Sequence, residues 1–318
     1  MSVFGKFAES MRLRTRFIDT WTDSTKGAAL VITATVLFSF MILIIKLLGD
    51  RLGVTQIIFV RQCLMGLIML PVIATHIPDT LRSKALHLQL MRIGLGLISI
   101  IIGFTAVIEL PLAESTTIGF ARSFFVTLLA IYFLHEYVGP RRWFAVFIGF
   151  VGVLIVMRPG TDAFSIYSLF ALIAAAAVGG ITILNRKLAR LDGAQTTVTF
   201  LIVGVASSLA PFAINSWIWP TMYEWMLFGG LAAVTWSAQM LNVKGFKYGE
   251  ASFLAGLDYI RLIFAVAFGY LFFGAVPDAL FFVGAAIIIA AAIYTLYREA
   301  VRQQEIAATP KARAFTPE

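Results

Sequence analysis

Ten long and nearly uncharged apolar stretches constrain the fold of this chain more than any other feature. A helix that crosses the hydrocarbon core of a bilayer needs about 20 mostly apolar residues, and irregular backbone is not tolerated where it faces lipid. The sequence therefore predicts an all-α integral membrane protein with ten transmembrane helices and short connections. The predicted spans are residues 27–48, 55–75, 92–109, 112–134, 142–157, 165–185, 195–215, 223–243, 251–273 and 277–297.

The composition excludes several classes of protein. Hydrophobic residues make up 60% of the chain and charged residues 13%, whereas soluble domains have about 25% charged residues. A soluble enzyme, a nucleic-acid-binding domain and a disordered chain are therefore not expected. The single cysteine, Cys63, excludes disulfides within the chain and cysteine-rich metal sites. The sequence contains no P-loop, nucleophile elbow or dinucleotide-binding turn, so we expect no cofactor and no metal.

The distribution of basic residues predicts the orientation of the ten spans. With the N-terminus placed inside, nineteen of the 25 lysines and arginines fall in cytoplasmic segments and two, Arg51 and Arg158, fall in outside loops. Cytoplasmic loops are enriched in lysine and arginine, so both termini are predicted to be cytoplasmic. The four remaining basic residues lie within spans or near their ends. Of these, Lys46 and Arg61 are interpreted as snorkelling or helix-tethering residues.

The two halves of the chain resemble each other at an offset of about 140 residues. For example, Asp50-Arg51-Leu52-Gly53 resembles Arg190-Leu191-Asp192-Gly193, and Leu70-Pro71 pairs with Ala210-Pro211. Each half has five predicted spans, and because five is odd the second half is predicted to be inverted relative to the first. Inverted repeats are typical of transporters that bind substrate at the repeat interface.

This repeat divides the chain into four segments. Residues 1–26 are basic, with apolar residues at helical spacing, and are interpreted either as an amphipathic helix on the membrane surface or as a frayed tail. Residues 27–158 form the first five-span repeat and residues 165–297 the second. Residues 298–318 are predicted to be a polar cytoplasmic tail, disordered from about residue 303.

Two arginines lie deep within predicted spans, where charge is costly. Arg122 in span four and Arg261 in span nine occupy equivalent positions of the two repeats. A guanidinium presents five donors in a planar fork, which suits carboxylate or phosphate groups. We therefore predict that both arginines line one central cavity and bind an anionic group of a substrate. The alternative is that Arg261 only forms a structural ion pair with Asp258, three residues earlier on the same helix face.

Further polar and aromatic residues within the spans are candidates for the same cavity. Asp258 and Glu114 are the candidates for proton coupling, because a carboxylate inside the membrane can carry a transported proton. The other cavity candidates are aromatic rings and uncharged hydrogen-bonding groups, namely Tyr259, Phe120, Trp236, Gln239, Asn242, Ser39 and Asn185.

Several motifs resemble the ten-span, EamA-type drug/metabolite transporters over nearly the whole chain. They include Glu109-Leu110-Pro111-Leu112-Ala113-Glu114, the run ending in His135-Glu136, and Arg158-Pro159-Gly160 in the first half. In the second half they include Tyr259 through Gly274. The resemblance implies alternating access between two inverted repeats. Many relatives have a proline where this chain has Ala121-Arg122-Ser123, and this departure suggests a substrate site that depends on Arg122. Many also keep a glutamate at the position of Ala275, so Glu136 lacks a symmetric partner.

The expected function is secondary transport of a small metabolite across a bacterial cytoplasmic membrane, by a monomer or a homodimer. Substrates of the resembled family include amino acids, S-adenosylmethionine, riboflavin and phosphorylated sugars. A planar, cofactor-like metabolite such as riboflavin is our first expectation, and a carrier or exporter of S-adenosylmethionine or amino acids is the alternative. An intramembrane enzyme or a channel is a remote alternative. The partners expected are the substrate and the lipid bilayer, without nucleic acid.

Overall fold

A computed structural model describes residues 23–75, 83–134, 140–161, 164–188, 191–192, 194–246, 248, 254 and 256–308. Within these residues the chain is helical and contains no strand. The predicted N-terminal amphipathic segment lies almost wholly outside the described residues, as do His135 and Glu136. The described helices are α1 (Asp23–Gly49), α2 (Val54–Thr75), α3 (Leu86–Glu109), α4 (Leu112–Gly119), α5 (Arg122–Leu134), α6 (Pro140–Met157), α7 (Ile166–Leu188), α8 (Ala194–Asn215), α9 (Met222–Gly245), a 3₁₀ helix (Leu257–Ile260), α10 (Arg261–Phe273) and α11 (Ala279–Ala308).

Many of these helices are long and apolar enough to cross a membrane. Six stretches meet that standard in the described residues: α1, α3, α4 together with α5, α7, α8 and α9. Shorter apolar segments, Val54–Leu70, Trp143–Met157 and Ala279–Thr295, lie in α2, α6 and α11. The chain is thus a multi-pass helical membrane protein. The full set of ten spans stays a prediction.

The predicted fourth span coincides with described helices, whereas the C-terminal tail differs from the expectation. The fourth span, residues 112–134, matches α4 and α5 together, which a turn at Phe120 and Ala121 separates. The tail is predicted to be disordered from about residue 303, whereas α11 continues to Ala308. Residues 298–308 contain several alanines and glutamines and no proline or glycine, so they have good intrinsic helix propensity once α11 has begun.

The helices run back and forth between two ends of the bundle. At one end, called the Glu224 end, the loop after α1 meets the loop before α9: Arg51 pairs with Glu224, and Gln56 bonds the backbone of Ile218. At the other, called the Asp192 end, the Asp192 carboxylate joins the start of α3 to the turn between α7 and α8.

Asp192 organises its end of the bundle through three hydrogen bonds. It accepts from Ser83 Oγ at 2.5 Å, from the Lys84 amide at 2.8 Å and from Gln89 Nε2 at 2.8 Å. Burial acts to raise the pKa of Asp192, but the bonds from Ser83, Gln89 and Lys84 outweigh it and hold this pKa below its usual value. The carboxylate is therefore favoured in the folded protein.

Replacing Asp192 with asparagine is expected to lower the melting temperature at neutral pH. The free energy of unfolding should fall by about 1 kcal/mol. This is less than the usual 1.5–3 kcal/mol for a hydrogen bond to a charged group, because the carboxylate is partly solvated. A lowered folded-state pKa gives stability that is present above about pH 3.9 and is lost as the pH falls through the folded value. The difference in melting temperature between parent and D192N should therefore shrink as the pH falls below about 3.9. A difference that is the same at pH 7 and pH 3 would contradict this assignment.

The most extensive helix packing joins the first half of the chain to the second. α1 packs along α9, and α3 packs along α7; α2 packs on α8, α6 on α11 and α4 on α10. The core is therefore shared by both halves, and Phe120, Phe124 and Ile288 belong to the same buried cluster.

Glycines allow the closest of these approaches. A Cβ built on Gly152 of α6 would lie 3.0 Å from the carbonyl oxygen of Gly284, and one built on Gly284 of α11 would lie 2.9 Å from that of Gly152. Small residues let membrane helices pack backbone to backbone. This pair fixes the α6–α11 contact.

The Gly284→Leu variant is expected to lose about 1–3 kcal/mol of stability, because the added side chain overlaps the backbone of α6 and the Val156 side chain. Gly229→Leu is the matched control, since nothing lies within 4 Å of a Cβ at Gly229. Thermal melting of both variants in one detergent makes the comparison. Equal melting temperatures for the two variants would refute the close approach.

Candidate functional site

Both deep arginines begin a helix immediately after a local break in the chain. Arg122 is the first residue of α5, after the turn at Phe120 and Ala121, and Arg261 is the first residue of α10, after the 3₁₀ helix. The two positions that the sequence repeat equates therefore share the same local structure. Interrupted helices near the membrane midplane are a common way to build a transporter's binding site.

Hydroxyl side chains explain the break before Arg122. Thr117 Oγ1 donates to the Ala113 carbonyl at 2.8 Å, and Ser123 Oγ donates to the Phe120 carbonyl at 3.0 Å. Such bonds compete with the helical backbone ladder and bend helices. The amides of Phe120 and Ala121 accordingly bond three residues back rather than four.

Asp258 joins both arginines into one ion triad. Its Oδ2 accepts from Arg122 Nη2 and its Oδ1 accepts from Arg261 Nη2, each at 2.5 Å. The side chain of Arg122 is 42% exposed, whereas those of Asp258 and Arg261 are 19% and 15% exposed. The structural pair between Asp258 and Arg261 thus exists, and Arg122 reaches the same carboxylate from the other half of the chain.

The triad carries one positive charge in excess. Two guanidinium groups share a single carboxylate, and Asp258 uses only one Nη of each. Arg261 is further held by the Phe38 ring, 5.2 Å from its guanidinium carbon, and its buried Nε has no hydrogen-bond partner among the described residues. Arg122, the more exposed arginine, retains free donor capacity.

Two aromatic residues predicted for the site lie beside the triad. The rings of Phe120 and Tyr259 meet edge to face with their centroids 4.6 Å apart. Phe120 is buried in the break between α4 and α5, and Tyr259 directly follows Asp258. The pair therefore packs the two interrupted helices against each other at the level of the arginines.

Arg122 also lines a cavity of about 210 Å³. The walls come from α1, α3, α4 and α7, and Arg122 is the one charged residue among the lining residues that the structure describes. Ser99, Ser115 and Gly119 give the wall a small, partly polar patch, and Phe104 supplies an aromatic face. The cavity is thus an apolar space with one guanidinium on its wall.

Among the described residues, none of the remaining cavity candidates bonds to a member of the triad. Trp236 and Gln239 are exposed on α9, away from the α9 face that is buried against α1, and Asn242 lies half-buried one turn further on. Ser39 is buried and bonds the Thr35 carbonyl at 2.9 Å. Asn185 accepts from Arg92 Nε at 2.6 Å near the Asp192 end.

Glu114 lines another pocket, which is more polar and encloses about 360 Å³. This pocket lies near the start of α4, the end of α6 and the start of α11. Glu114 accepts a hydrogen bond from Ser168 Oγ at 2.8 Å. Arg158 and Asp278, which pair with each other, line the same pocket. Glu114 and Asp258 are therefore in two separate sites.

Several residues that shape the cavity region could not be predicted from the sequence. Phe38, Phe104 and Ser115 carry no signal that separates them from the many other apolar or small residues of their helices. Lys46 was interpreted as a snorkelling residue, but its Nζ donates to the carbonyl oxygens of Val107, Ile108 and Leu110 at 3.2, 2.7 and 2.6 Å. It caps the C-terminus of α3, where a cation is favoured.

Arg61 likewise turns inward, because its guanidinium carbon lies 5.7 Å from the centroid of the Phe104 ring. Since Phe104 lines the cavity, Arg61 supports one of its walls from behind.

Three named transport proteins are similar to this chain over most of its length. The riboflavin transporter of Brucella anthropi is 28% identical over 79% of this chain and 91% of its own length. The S-adenosylmethionine uptake transporter of Rickettsia bellii is 28% identical over 80% of this chain and 87% of its own length. The pseudopaline exporter of Pseudomonas aeruginosa is 26% identical over 84% of this chain and 94% of its own length.

A protein of known crystal structure shares the fold. It covers 88% of this chain and 99% of its own, with a TM-score of 0.61 and 18% sequence identity. Residues 25–158, which contain most of α1, all of α2 to α6 and Arg122, match the EamA-like transporter family. The first half of the chain is therefore similar to EamA-like transporters, in line with the transporters named above.

Proposed function

We propose that this protein is a secondary transporter that moves a small metabolite across the membrane by alternating access. The single observation that carries the proposal is the ion triad, in which Asp258 bonds both Arg261 of its own half and Arg122 of the first half, beside a cavity. A substrate group that competes for Arg122 would change a bond between the two halves. Binding and the relative movement of the halves are thereby coupled.

The proposal includes ten spans arranged as two inverted repeats. The helix pairs support this arrangement, because exchanging the halves turns the α1–α9 contact into the α7–α3 contact. The same exchange returns α2–α8 and α6–α11 to themselves. A two-fold axis in the membrane plane would produce this pattern.

Both termini are proposed to be cytoplasmic, in the inner membrane of a bacterium. The basic loops and the Asp192 end then face the cytoplasm, and the Glu224 end faces outward. Single-cysteine labelling in a Cys63→Ala background tests this orientation. A membrane-impermeant maleimide should label a cysteine at Ser216 in intact cells and should label one at Leu191 only after the cells are opened.

The first substrate we propose is a planar, cofactor-like metabolite such as riboflavin, which the name of one relative supports. Phe104 on the cavity wall offers aromatic surface for a flat ring. The second candidate is S-adenosylmethionine, named for another relative. Its carboxylate can accept hydrogen bonds from the free donors of Arg122.

Transport rather than catalysis or conduction is proposed because the relatives are named as transporters and exporters. Purified protein in liposomes preloaded with unlabelled compound should take up the same compound in labelled form. Riboflavin, S-adenosylmethionine and a neutral amino acid form the panel, with empty liposomes as control. Saturable exchange of one compound is expected. Exchange of none, or uptake that rises linearly with concentration as through a channel, would contradict the proposal.

A further inference from the structure

A large apolar groove runs along the bundle and is separate from the cavity that holds Arg122. It encloses about 810 Å³ between α3 and α5, with α7 as its floor. The groove and the cavity have no lining residue in common. The small residues Ala176, Ala177 and Gly180 make the floor deep.

The groove opens sideways from the protein. Met91 and Ile98 on the α3 wall, Phe133 on the α5 wall and Ile173 on the floor all have exposed side chains. In a chain that crosses a bilayer, such an opening faces the hydrocarbon of the lipids.

Hydrocarbon suits this space better than water does. The lining residues that the structure describes are all apolar except Lys187. Cavities of about 150 Å³ lined by leucine, isoleucine and phenylalanine remain dry and take up small hydrocarbons. A groove of 810 Å³ with the same chemistry can therefore accept a much longer hydrocarbon chain.

Lys187 places a positive charge at one end of this apolar groove. It lies one residue before the end of α7, near the Asp192 end, and its Nζ is 5.7 Å from the centroid of the Phe133 ring. A lysine at the end of a membrane helix lies at the level of the lipid headgroups. Basic residues there attract anionic lipids.

We propose that this groove binds one acyl chain of an anionic phospholipid, with the lipid phosphate paired to Lys187. The charge at one end and the hydrocarbon-compatible lining together match an anionic lipid. A lipid bound in this way would contact α5, the helix that begins with Arg122.

Native mass spectrometry of the purified full chain tests the proposal. The protein is incubated with phosphatidylglycerol or with phosphatidylcholine of identical acyl chains. One phosphatidylglycerol per chain should be retained about fivefold more often than phosphatidylcholine, the factor that corresponds to about 1 kcal/mol for one basic residue. Equal retention of the two lipids by the parent would overturn the proposal.

Two variants separate the contributions of charge and shape. Lys187→Gln should remove the preference for phosphatidylglycerol, and Lys187→Arg should keep it. Ala176→Phe fills the groove and should lower the retention of both lipids about tenfold. Leu67→Phe, on the exposed face of α2, is the matched control and should bind as the parent does. An Ala176→Phe variant that retains lipid as the parent does would also overturn the proposal.

Discussion

The Asp258→Ala variant is expected to lose transport and about 3 kcal/mol of folding stability. Removing the shared carboxylate leaves Arg122 and Arg261 facing each other with no counterion in the triad. Breaking a buried ion pair in this way costs about 3–5 kcal/mol, and the lower end applies because Arg122 is partly exposed. Thermal melting in detergent and uptake into liposomes measure the two effects.

A second substitution distinguishes charge balance from packing. Adding Arg261→Gln to Asp258→Ala removes one of the two uncompensated charges, so the double variant should be more stable than Asp258→Ala alone. A double variant that is less stable than either single variant would show that the side chains act through packing. A melting temperature of Asp258→Ala equal to that of the parent would contradict the triad itself.

The Arg122→Ala variant is expected to fold well and to lose most of its transport. Asp258 keeps its bond to Arg261, so no unpaired carboxylate remains. A hydrogen bond to a charged group contributes about 1.5–3 kcal/mol, so substrate affinity should fall roughly 10- to 150-fold. The apparent affinity for uptake into liposomes measures this loss.

Two variants serve as references for this experiment. Arg122→Lys keeps the charge without the planar fork and should restore part of the affinity. Lys244→Gln removes an exposed basic residue at the end of α9, outside the cavity, and should leave uptake unchanged. Uptake by Arg122→Ala equal to that of Lys244→Gln would exclude Arg122 from the substrate site.

The members of the triad and one of its two bonds could be predicted from the sequence. The repeat offset pointed to Arg122 and Arg261 together, and helical spacing pointed to the pair of Asp258 with Arg261. The bond between Arg122 and Asp258 could not be predicted, because it depends on how helices from different halves pack. The packing of α1 against the end of α3, within the first half, likewise gives Lys46 its carbonyl partners.

The sequence also grouped three residues of α9 with the triad, but the structure shows no bond between these described residues and the triad. Trp236, Gln239 and Asn242 lie at helical spacing, which predicts one stripe, but spacing alone does not say which neighbour that stripe faces. The structure buries a different stripe of α9, containing Phe228, Leu231 and Thr235. Helix breaks are equally hard to predict, because the hydroxyl residues on either side of Arg122, Thr117 and Ser123, can also be accommodated within a continuous helix.

A cryo-electron microscopy structure with the transported compound bound tests the central claim most directly, since it shows where the substrate lies. Our account predicts density in the cavity beside Arg122, with a substrate oxygen within hydrogen-bonding distance of its guanidinium and with the bond from Arg122 to Asp258 changed. Substrate density along the α9 stripe of Trp236 and Gln239, with the triad undisturbed, would contradict it.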